Sequence, residues 1–397
     1  MTTPEPHFSF LLICQTYFPV LGGSEIEAQR VCSALIRRGH RVTVVCAGGD
    51  PMPPVQSWID PAGVPVCIYS HRGDGLLKNI IYALRVAETL FRERKNYQFV
   101  YFLMQGLHLA VGLPIARLLK KPVIVKIAGS GEVPRMSKSR IGRMELRCLN
   151  RWASKVLILN EGMRYEAIEG GITAAKLQLM PNPVDTNQFS PANNQEQLEL
   201  RRHFGVSETA PIVMYSGRLA PEKSLTTLLE AFALVSEVIP DVLLVLVGDG
   251  PVRASLAEQA KQFGLSERVR FTGRVSPSEV SNWLKIANVF AFVSPSEGFP
   301  CSLEEAMSTA IASVATDIPG NRQLVEHGQQ TLLCPVGDTK SIAESIIALV
   351  RDSVLRHRLG CAARAHILSN YSIDQVVELY EALFRQVVRA ERQADVV

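Results

Sequence analysis

The chain has 397 residues, of which 47% are hydrophobic and 20% charged, and its formal net charge is +4. This length exceeds one ordinary hydrophobic core and predicts two domains, and the composition is that of a globular protein, which excludes a disordered chain. So small a net charge, without a basic repeat interleaved with aromatic residues, predicts no nucleic-acid partner.

The N-terminal residues 1–7 lack a basic stretch, and no apolar run approaches the roughly 18 residues of a membrane span. Eight cysteines are scattered without any C-x-x-C pair, and several lie inside apolar runs. That pattern is typical of buried thiols in a reducing compartment. We therefore expect a cytoplasmic protein, with peripheral attachment to the inner face of the membrane as a further option.

The first part of the chain predicts a parallel α/β unit. Residues 8–14 form a short apolar run, and Ser24 with Glu27 predicts a capping box at the start of a helix. Gly39 suits the left-handed position that ends that helix, and residues 41–46 form the next strand. Further strands are predicted at 66–70, 99–103, 123–127 and 155–159.

The same pattern restarts in the second half. Pro181-Asn182-Pro183 and the polar segment 190–197 predict a hinge between domains. Nearly continuous apolar strands follow, as in parallel sheets covered on both faces, at 212–216, 242–247, 269–272, 289–293 and 312–315. The fold class predicted is α/β, with two tandem Rossmann-like doubly wound domains facing across a cleft.

Two glutamates eight positions apart, Glu297 and Glu305, mark the most informative segment, residues 294–307. Pro300 between them places Glu297 in a loop and Glu305 on the first turns of a helix. The free N–H groups and positive dipole end of such a junction suit a diphosphate, and the carboxylates can accept hydrogen bonds from sugar hydroxyls. The alternative is structural: Ser302 with Glu305 also makes an ordinary capping box.

A basic pair follows the first strand of the second half. Arg218 and Lys223 lie just beyond Gly217, where they can hold a pyrophosphate from two sides. The alternative is a solvated basic loop. Gly248-Asp249-Gly250, after the next strand, is weak support because turns use glycine everywhere.

The chain lacks the motifs of several other chemistries. The chain has neither a G-x-x-x-x-G-K-[ST] loop nor a G-x-G-x-x-G fingerprint, which counts against an ATPase and a nicotinamide dehydrogenase. It also lacks H-E-x-x-H and any carboxylate cluster at metal-ligand spacing. We therefore expect no metal and no cofactor.

Taken together, these motifs resemble those of the family-four retaining glycosyltransferases of the GT-B fold, also called group-one glycosyltransferases. The resemblance spans nearly the whole chain, and its most specific part is the E-x7-E element combined with the arginine and the lysine. The matching segments are Gly22-Gly23-Ser24-Glu25, Gly39-His40-Arg41-Val42, Pro181-Asn182-Pro183-Val184-Asp185 with Phe189, Gly217-Arg218-Leu219 with Lys223, Gly248-Asp249-Gly250, 297–307 and 317–320.

The resemblance implies a nucleotide diphosphosugar of the UDP or GDP type as donor and a hydroxyl of a glycan, lipid-linked or small-molecule acceptor, in polysaccharide or glycolipid synthesis. It implies domains at 1–188 for the acceptor and 189–375 for the sugar nucleotide, with 376–397 as a helical tail packing back toward the N-terminal domain. The site residues it implies are Arg218 and Lys223 for the diphosphate, Glu297 for the donor sugar, Glu305 for the ribose, Gly298, Ser302 and Leu303 around the phosphates, and Gly22 and Gly23 for close approach of the first domain. Of these, Arg218, Lys223 and Glu297 are the implied catalytic residues, and the reaction needs no metal.

The chain departs from the family at four positions. The histidine usual after strand 123–127 is absent, since Ala128 begins that loop. His108 is a candidate substitute, with a buried packing role as the alternative. Ala310 and Ala312 replace a usual glycine and proline, and Ser224 replaces a usual glycine.

Residues 135–155 carry seven basic residues and one acidic residue, with Ile141, Met144, Cys148 and Trp152 at helical spacing. An amphipathic basic helix of this kind can lie on an anionic membrane and bring a lipid-linked acceptor to the enzyme. The alternative is a packed helix with a solvated outer face.

Two other functions of the protein also stay open: a sugar-nucleotide epimerase or phosphorylase of the same architecture, and a non-catalytic sugar-nucleotide binder.

Overall fold

The computed structural model describes residues 7–18, 22–48, 55–70, 75–103 and 106–394. The chain divides into two compact units, the first Met1–Pro183 with Ile373–Val397 and the second Val184–Ser372. The boundaries expected at 188/189 and 375/376 thus lie a few residues earlier. The N–H of Val184 donates to the carbonyl of Tyr371 at 2.9 Å. This bond joins the residue where the chain enters the second unit to one just before the chain leaves it, so both belong to that unit.

The first unit is built on an eight-stranded sheet of order β3-β4-β2-β1-β5-β6-β7-β8. Its strands are β1 Ser9–Cys14, β2 Arg41–Gly48, β3 Val55–Ile59, β4 Pro65–Ser70, β5 Phe99–Leu103, β6 Val123–Lys126, β7 Lys155–Ile158 and β8 Leu177–Leu179. All described pairs are parallel except β3 with β4. Strands β3 and β8 were not predicted, because both lie at sheet edges, where a strand needs no long apolar run.

Six helices of the first unit precede the crossover: α1 Gly23–Arg37, α2 Leu76–Arg92, α3 Leu107–Leu118, α4 Glu132–Ser137, α5 Arg140–Trp152 and α6 Glu161–Glu169 among the described residues. The capping box predicted from Ser24 and Glu27 is wrong, because the N-cap of α1 is Gly22, two residues before Ser24, and it makes no side-chain bond. Glu27 is instead buried in the core. Gly39 has a φ of 89°, so the predicted left-handed end of α1 is confirmed.

The second unit has a six-stranded parallel sheet of order β11-β10-β9-β12-β13-β14. Its strands are β9 Ile212–Ser216, β10 Leu243–Val247, β11 Val269–Gly273, β12 Val289–Phe292, β13 Ala312–Thr316 and β14 Thr331–Cys334. Its helices are α7 Asn194–His203, α8 Leu225–Val238, α9 Arg253–Gln262, α10 Pro277–Ile286, α11 Cys301–Ser308, α12 Pro319–Leu324, α13 Thr339–Arg351 and α14 Ser353–Asn370. The short strand β14 was missed by the sequence pattern.

The strand order confirms the predicted fold class of two doubly wound α/β units. Numbered within the second unit, the order is 3-2-1-4-5-6, and the parallel strands of the first unit follow the same scheme. The order reverses between β9 and β12 in the second unit and between β1 and β5 in the first. In open α/β sheets, ligands bind at the carboxyl ends of the strands at such switch points.

The last helix, α15 (Ile373–Ala394), returns to the first unit. Its apolar face, which includes Val376, Tyr380 and Phe384, joins the core formed by β1, α1 and β5. At its polar edge, Glu381 accepts a hydrogen bond from Nε2 of His40 at 2.9 Å. The helix is therefore an integral part of the first core.

Candidate functional site

The loops after β9 and β10 interlock at the carboxyl edge of the second sheet. The N–H of Gly217 donates to the carbonyl of Val247, and a Cβ atom added to Gly248 would lie 2.0 Å from the carbonyl oxygen of Gly217. A Cβ atom on Gly250 would lie 2.3 Å from the carbonyl oxygen of Leu219. Only glycine permits this approach, so the glycine pair that was weak support in the sequence has a definite structural cause.

Arg218 leaves this loop toward solvent. Its side chain is 67% exposed and forms an ion pair with Glu222 one turn later. The hydroxyl of Tyr215, a buried residue of β9, donates to the carbonyl of Arg218 at 3.2 Å. Burial raises the pKa of that tyrosine well above its usual range, so the hydroxyl stays protonated and holds the loop.

Lys223 and Glu297 meet across the switch point of the second unit. Lys223 ends a 3₁₀ turn, Pro221–Lys223, after β9, whereas Glu297 lies in the loop after β12. The Nζ atom of Lys223 lies 2.5 Å from Oε1 of Glu297, and the two side chains are only 21% and 13% exposed. Two residues predicted from separate motifs are therefore in direct contact.

Helix α11 follows this loop, and its start shows whether Glu305 belongs to a capping box. The helix begins at Cys301, and its N-cap is Pro300, without a side-chain cap bond, so the capping box of Ser302 with Glu305 is wrong. The N–H groups of Cys301 and Glu304 donate to nearby carbonyls. Among the described hydrogen bonds none uses the N–H of Ser302 or Leu303, and such first-turn groups suit an anion.

The predicted glycines of the first unit are placed differently. Gly22 and Gly23 begin α1 at the end of the loop after β1, and they belong to a different unit from the other predicted site residues. A Cβ atom on Gly22 would lie 2.4 Å from Oε2 of Glu25, whose Oε1 accepts a hydrogen bond from the hydroxyl of Thr16 at 2.5 Å. The carboxylate of Glu25 thus explains the glycine at position 22.

His108 lies in the first turn of α3, after β5. Its side chain is 1% exposed and packs against the rings of Tyr82 and Phe102, and its Nε2 atom has no partner among the described atoms. Burial lowers the pKa of this imidazole to about 4, so it is neutral at pH 7. This geometry fits the packing role better than a catalytic one.

At two of the positions where the chain departs from the family, the backbone conformation explains why glycine is the usual residue. Ser224 has a φ of 49° and Ala310 a φ of 60°, both in the left-handed region where glycine is favoured. Ala310 is the residue after the C-cap of α11, and the N–H groups of Ala310 and Ile311 donate to the carbonyls of Met307 and Ala306. That is a Schellman motif with alanine in the glycine position.

The sequence predicted one amphipathic helix in the basic segment 135–155, and that prediction is wrong. The segment divides into α4 and α5, and the hydroxyl of Ser139 caps α5 by accepting from the N–H of Gly142. Ile141 and Met144 are 57% and 45% exposed, whereas Leu146 and Leu149 are buried. Two of the four apolar residues at helical spacing, Ile141 and Met144, therefore face solvent. They lie on the same helix as four exposed basic residues, Arg140, Arg143, Arg147 and Arg151.

Sequence reasoning missed two groups that shape the site in the second unit, Tyr215 under the basic loop and Glu222 beside Arg218. In the first unit it missed the contact of Glu25 with Gly22. The spacing of Arg218 and Glu222, four residues apart, was the one available signal. Within the described ranges, no helix is long and apolar enough to cross a bilayer, and no three or more histidine, cysteine or acidic side chains group as metal ligands.

Comparison with known proteins identifies the family. The family model described as "Glycosyl transferases group 1" matches residues 196–366, and that of the "Glycosyl transferase 4-like domain" matches 22–183. The chain is similar to N-acetyl-alpha-D-glucosaminyl L-malate synthase of Bacillus anthracis, at 28% identity over 55% of this chain and only 56% of that protein. It is also similar to phosphatidyl-myo-inositol mannosyltransferase of Mycobacterium leprae, at 26% identity over 94% of this chain and 96% of that one.

The fold is likewise that of known structures. HepE from Anabaena, solved in complex with UDP, superposes with a TM-score of 0.78 at 20% identity, covering 95% of this chain and all of that one. The glycosyltransferase WaaG superposes with a TM-score of 0.73 at 16% identity, over 94% of this chain and 99% of that one. The chain therefore belongs to the group 1, family-four glycosyltransferases, and its fold is GT-B.

Proposed function

We propose that the protein is a retaining glycosyltransferase that moves a sugar from a nucleotide diphosphosugar to an acceptor hydroxyl. The observation that carries this proposal is the contact of Lys223 with Glu297 at the switch point between β9 and β12. A cation for phosphate and a carboxylate for sugar hydroxyls stand side by side there, next to the open N-terminus of α11.

The donor's diphosphate binds Arg218, Lys223 and the N–H groups of Ser302 and Leu303. The ammonium group of Lys223 has three N–H donors, so it can keep its bond to Glu297 and still bind a phosphate oxygen. Arg218 is exposed and can turn its guanidinium group from Glu222 toward a doubly charged ligand. Glu305 takes the ribose hydroxyls, as the family resemblance implies.

The chemistry follows from the charge that develops. The bond from the anomeric carbon to the diphosphate breaks, and the acceptor oxygen bonds to that carbon on the same face. The acceptor's proton passes to an oxygen of the leaving diphosphate. Arg218, Lys223 and the dipole of α11 stabilise the negative charge on the leaving group, so we propose a reaction without a metal ion.

The family membership and the names of the relatives favour a transferase over an epimerase or a phosphorylase. A donor of the UDP or GDP type and an acceptor that is a glycan or a lipid-linked sugar fit the proposal. The M. leprae relative is named for transfer to phosphatidyl-myo-inositol, which supports a lipid-linked acceptor here. A non-catalytic binder would bind the same donors without transfer.

The proposal is tested with a panel of UDP-, GDP- and ADP-sugars, each with and without EDTA. A ligand at about a hundred times its dissociation constant stabilises the protein by roughly 2.7 kcal/mol, which a thermal melt detects. We expect one nucleotide class to raise the melting temperature equally in both conditions. No shift with any sugar nucleotide would contradict the proposal, and a shift that EDTA removes would contradict metal independence.

We also propose that the outer face of α5 contacts an anionic membrane surface. The exposed Ile141 and Met144 supply apolar contact, and the four exposed arginines of that helix supply charge. Vesicles of phosphatidylglycerol should bind the protein at low salt, whereas neutral vesicles should not.

The matched variants reverse two charges each. Arg143→Glu with Arg147→Glu should weaken vesicle binding by about tenfold or more, at roughly 1 kcal/mol per basic residue. Lys261→Glu with Lys340→Glu, on exposed positions of the second unit, changes the net charge equally and serves as control. Equal weakening by both pairs would show attraction by net charge alone and contradict a contact through α5.

A further inference from the structure

A chain of buried hydrogen bonds lies beneath the loops that carry Lys223 and Glu297. Thr316, the last residue of β13, donates from its hydroxyl to the carbonyl of Ser294 at 2.5 Å. The Nδ2 atom of Asn321 donates to the carbonyl of Thr316 at 2.7 Å and lies 3.4 Å from its hydroxyl. All three side chains are fully buried, so water does not compete for these bonds.

Ser294 passes this restraint to both loops of the site. Its hydroxyl lies 3.3 Å from the carbonyl oxygen of Glu222 and 3.2 Å from that of Ser296, as a donor shared between the two. These carbonyls belong to the residues directly before Lys223 and Glu297. One buried hydroxyl therefore sets the spacing of the two backbones whose next side chains form the ion pair.

The loop after β13 also touches the Glu297 segment directly. A Cβ atom on Gly320 would lie 2.4 Å from the carbonyl oxygen of Glu297, so these backbones are packed as closely as glycine allows. Thr316 and Gly320 thus restrain the same segment, 294–297. Thr316 binds its first residue, Ser294, and Gly320 packs against its last, Glu297.

We propose that Thr316 is a positioning residue of the donor site, which acts through Ser294 to hold Lys223 and Glu297 in register for the diphosphate. This inference rests on the proposed function. Thr316 does not touch the donor; it fixes the two loops before the ligand arrives, so that binding costs less ordering of the backbone.

The side chain of Thr316 permits a clean substitution. Thr316→Val keeps the volume and removes only the hydroxyl, which leaves the carbonyl of Ser294 without its donor. Thr331→Val is the matched control: Thr331, on β14, is also fully buried, and its hydroxyl shares a 2.6 Å hydrogen bond with Ser313. Thr316→Ser restores the hydroxyl.

The experiment measures dissociation constants by calorimetry for the nucleoside diphosphate and monophosphate of the base that the wild type binds, with a thermal melt of each variant. We expect Thr316→Val to weaken the diphosphate about tenfold and to leave the monophosphate unchanged, because Lys223 serves the diphosphate. Thr331→Val should lower the melting temperature similarly without changing either constant, and Thr316→Ser should restore wild-type affinity.

The outcomes separate this inference from the proposed function. If the wild type binds no nucleoside diphosphate, the proposed function fails and the inference with it. If the wild type binds and Thr316→Val binds the diphosphate equally well, only the inference is overturned. Equal weakening of diphosphate and monophosphate, or equal weakening by Thr331→Val, would show a general loss of stability and would overturn it too.

Discussion

Lys126, at the end of β6, donates a hydrogen bond from Nζ to Oδ1 of Asn182 at 2.8 Å. Asn182 belongs to the Pro181-Asn182-Pro183 segment, where the chain leaves the first unit. The same ammonium group lies 2.9 Å from Oε1 of Glu27 on α1 and 3.4 Å from the hydroxyl of Tyr380 on α15. One buried cation thereby ties both ends of the first unit's chain to its core.

Lys126→Met should destabilise the first unit strongly. The lysine is 1% exposed, and its removal leaves the buried carboxylate of Glu27 without its cation, at a cost of about 3–5 kcal/mol. Urea denaturation followed by fluorescence measures the loss. Adding Glu27→Gln should recover part of it, and the exposed Lys340→Met should cost little; equal stability of Lys126→Met and wild type would refute the role of the cluster.

Arg218→Ala should weaken donor binding by roughly 10- to 100-fold, the range for a hydrogen bond to a charged group. Arg202→Ala is a close control, since Arg202 is 64% exposed and pairs with Glu208 in the same unit. Calorimetry with the nucleotide sugar that stabilises the wild type checks this. A donor affinity that falls alike in both variants would mean that Arg218 has no special role.

Ala310→Gly should stabilise the second unit by about 0.5–1 kcal/mol. Alanine at a φ of 60° carries a left-handed cost of about 1–2 kcal/mol, and the extra entropy that glycine loses on folding offsets only part of the gain. A thermal melt measures the change. Ala306→Gly, inside the same helix, should instead destabilise it by roughly 0.5–1 kcal/mol; destabilisation by both variants would count against strain at Ala310.

The stability of the first unit should fall between about pH 6.5 and pH 4 because of His108. Its pKa is about 4 in the folded chain, below the usual 6.5, so the unfolded chain binds more protons in this window. The stabilisation is therefore complete above the unfolded pKa and is lost as the pH falls, by up to about 3 kcal/mol at 1.36 kcal/mol per pKa unit.

Denaturation at a series of pH values tests this prediction. His108→Phe keeps a ring between Tyr82 and Phe102 and should flatten the pH dependence across the window. His357→Phe, at an exposed position on α14, is the control and should keep the wild-type slope. A wild-type slope in His108→Phe would assign the pH dependence to other groups.

The sequence predicted the large elements because their signals are local. Strands such as β5 and β9 are continuous apolar runs, and their predicted bounds at 99–103 and 212–216 coincide with those of the structure. The edge strands β3 and β8 have no such run. The start of α1 was misplaced because the spacing of Ser24 and Glu27 is that of a capping box. The sequence does not show that the core buries Glu27 instead.

Sequence alone determined the chemical composition of the site: a basic pair after one strand and two glutamates around a later helix start. Only the tertiary structure decided that Lys223 and Glu297 touch, because β9 and β12 are neighbours in the sheet although 74 positions separate the two residues. Strand order depends on long-range packing, which no local pattern encodes. The same packing also decided that Thr316 and Ser294 lie under both loops, and that His108 is buried between aromatic rings.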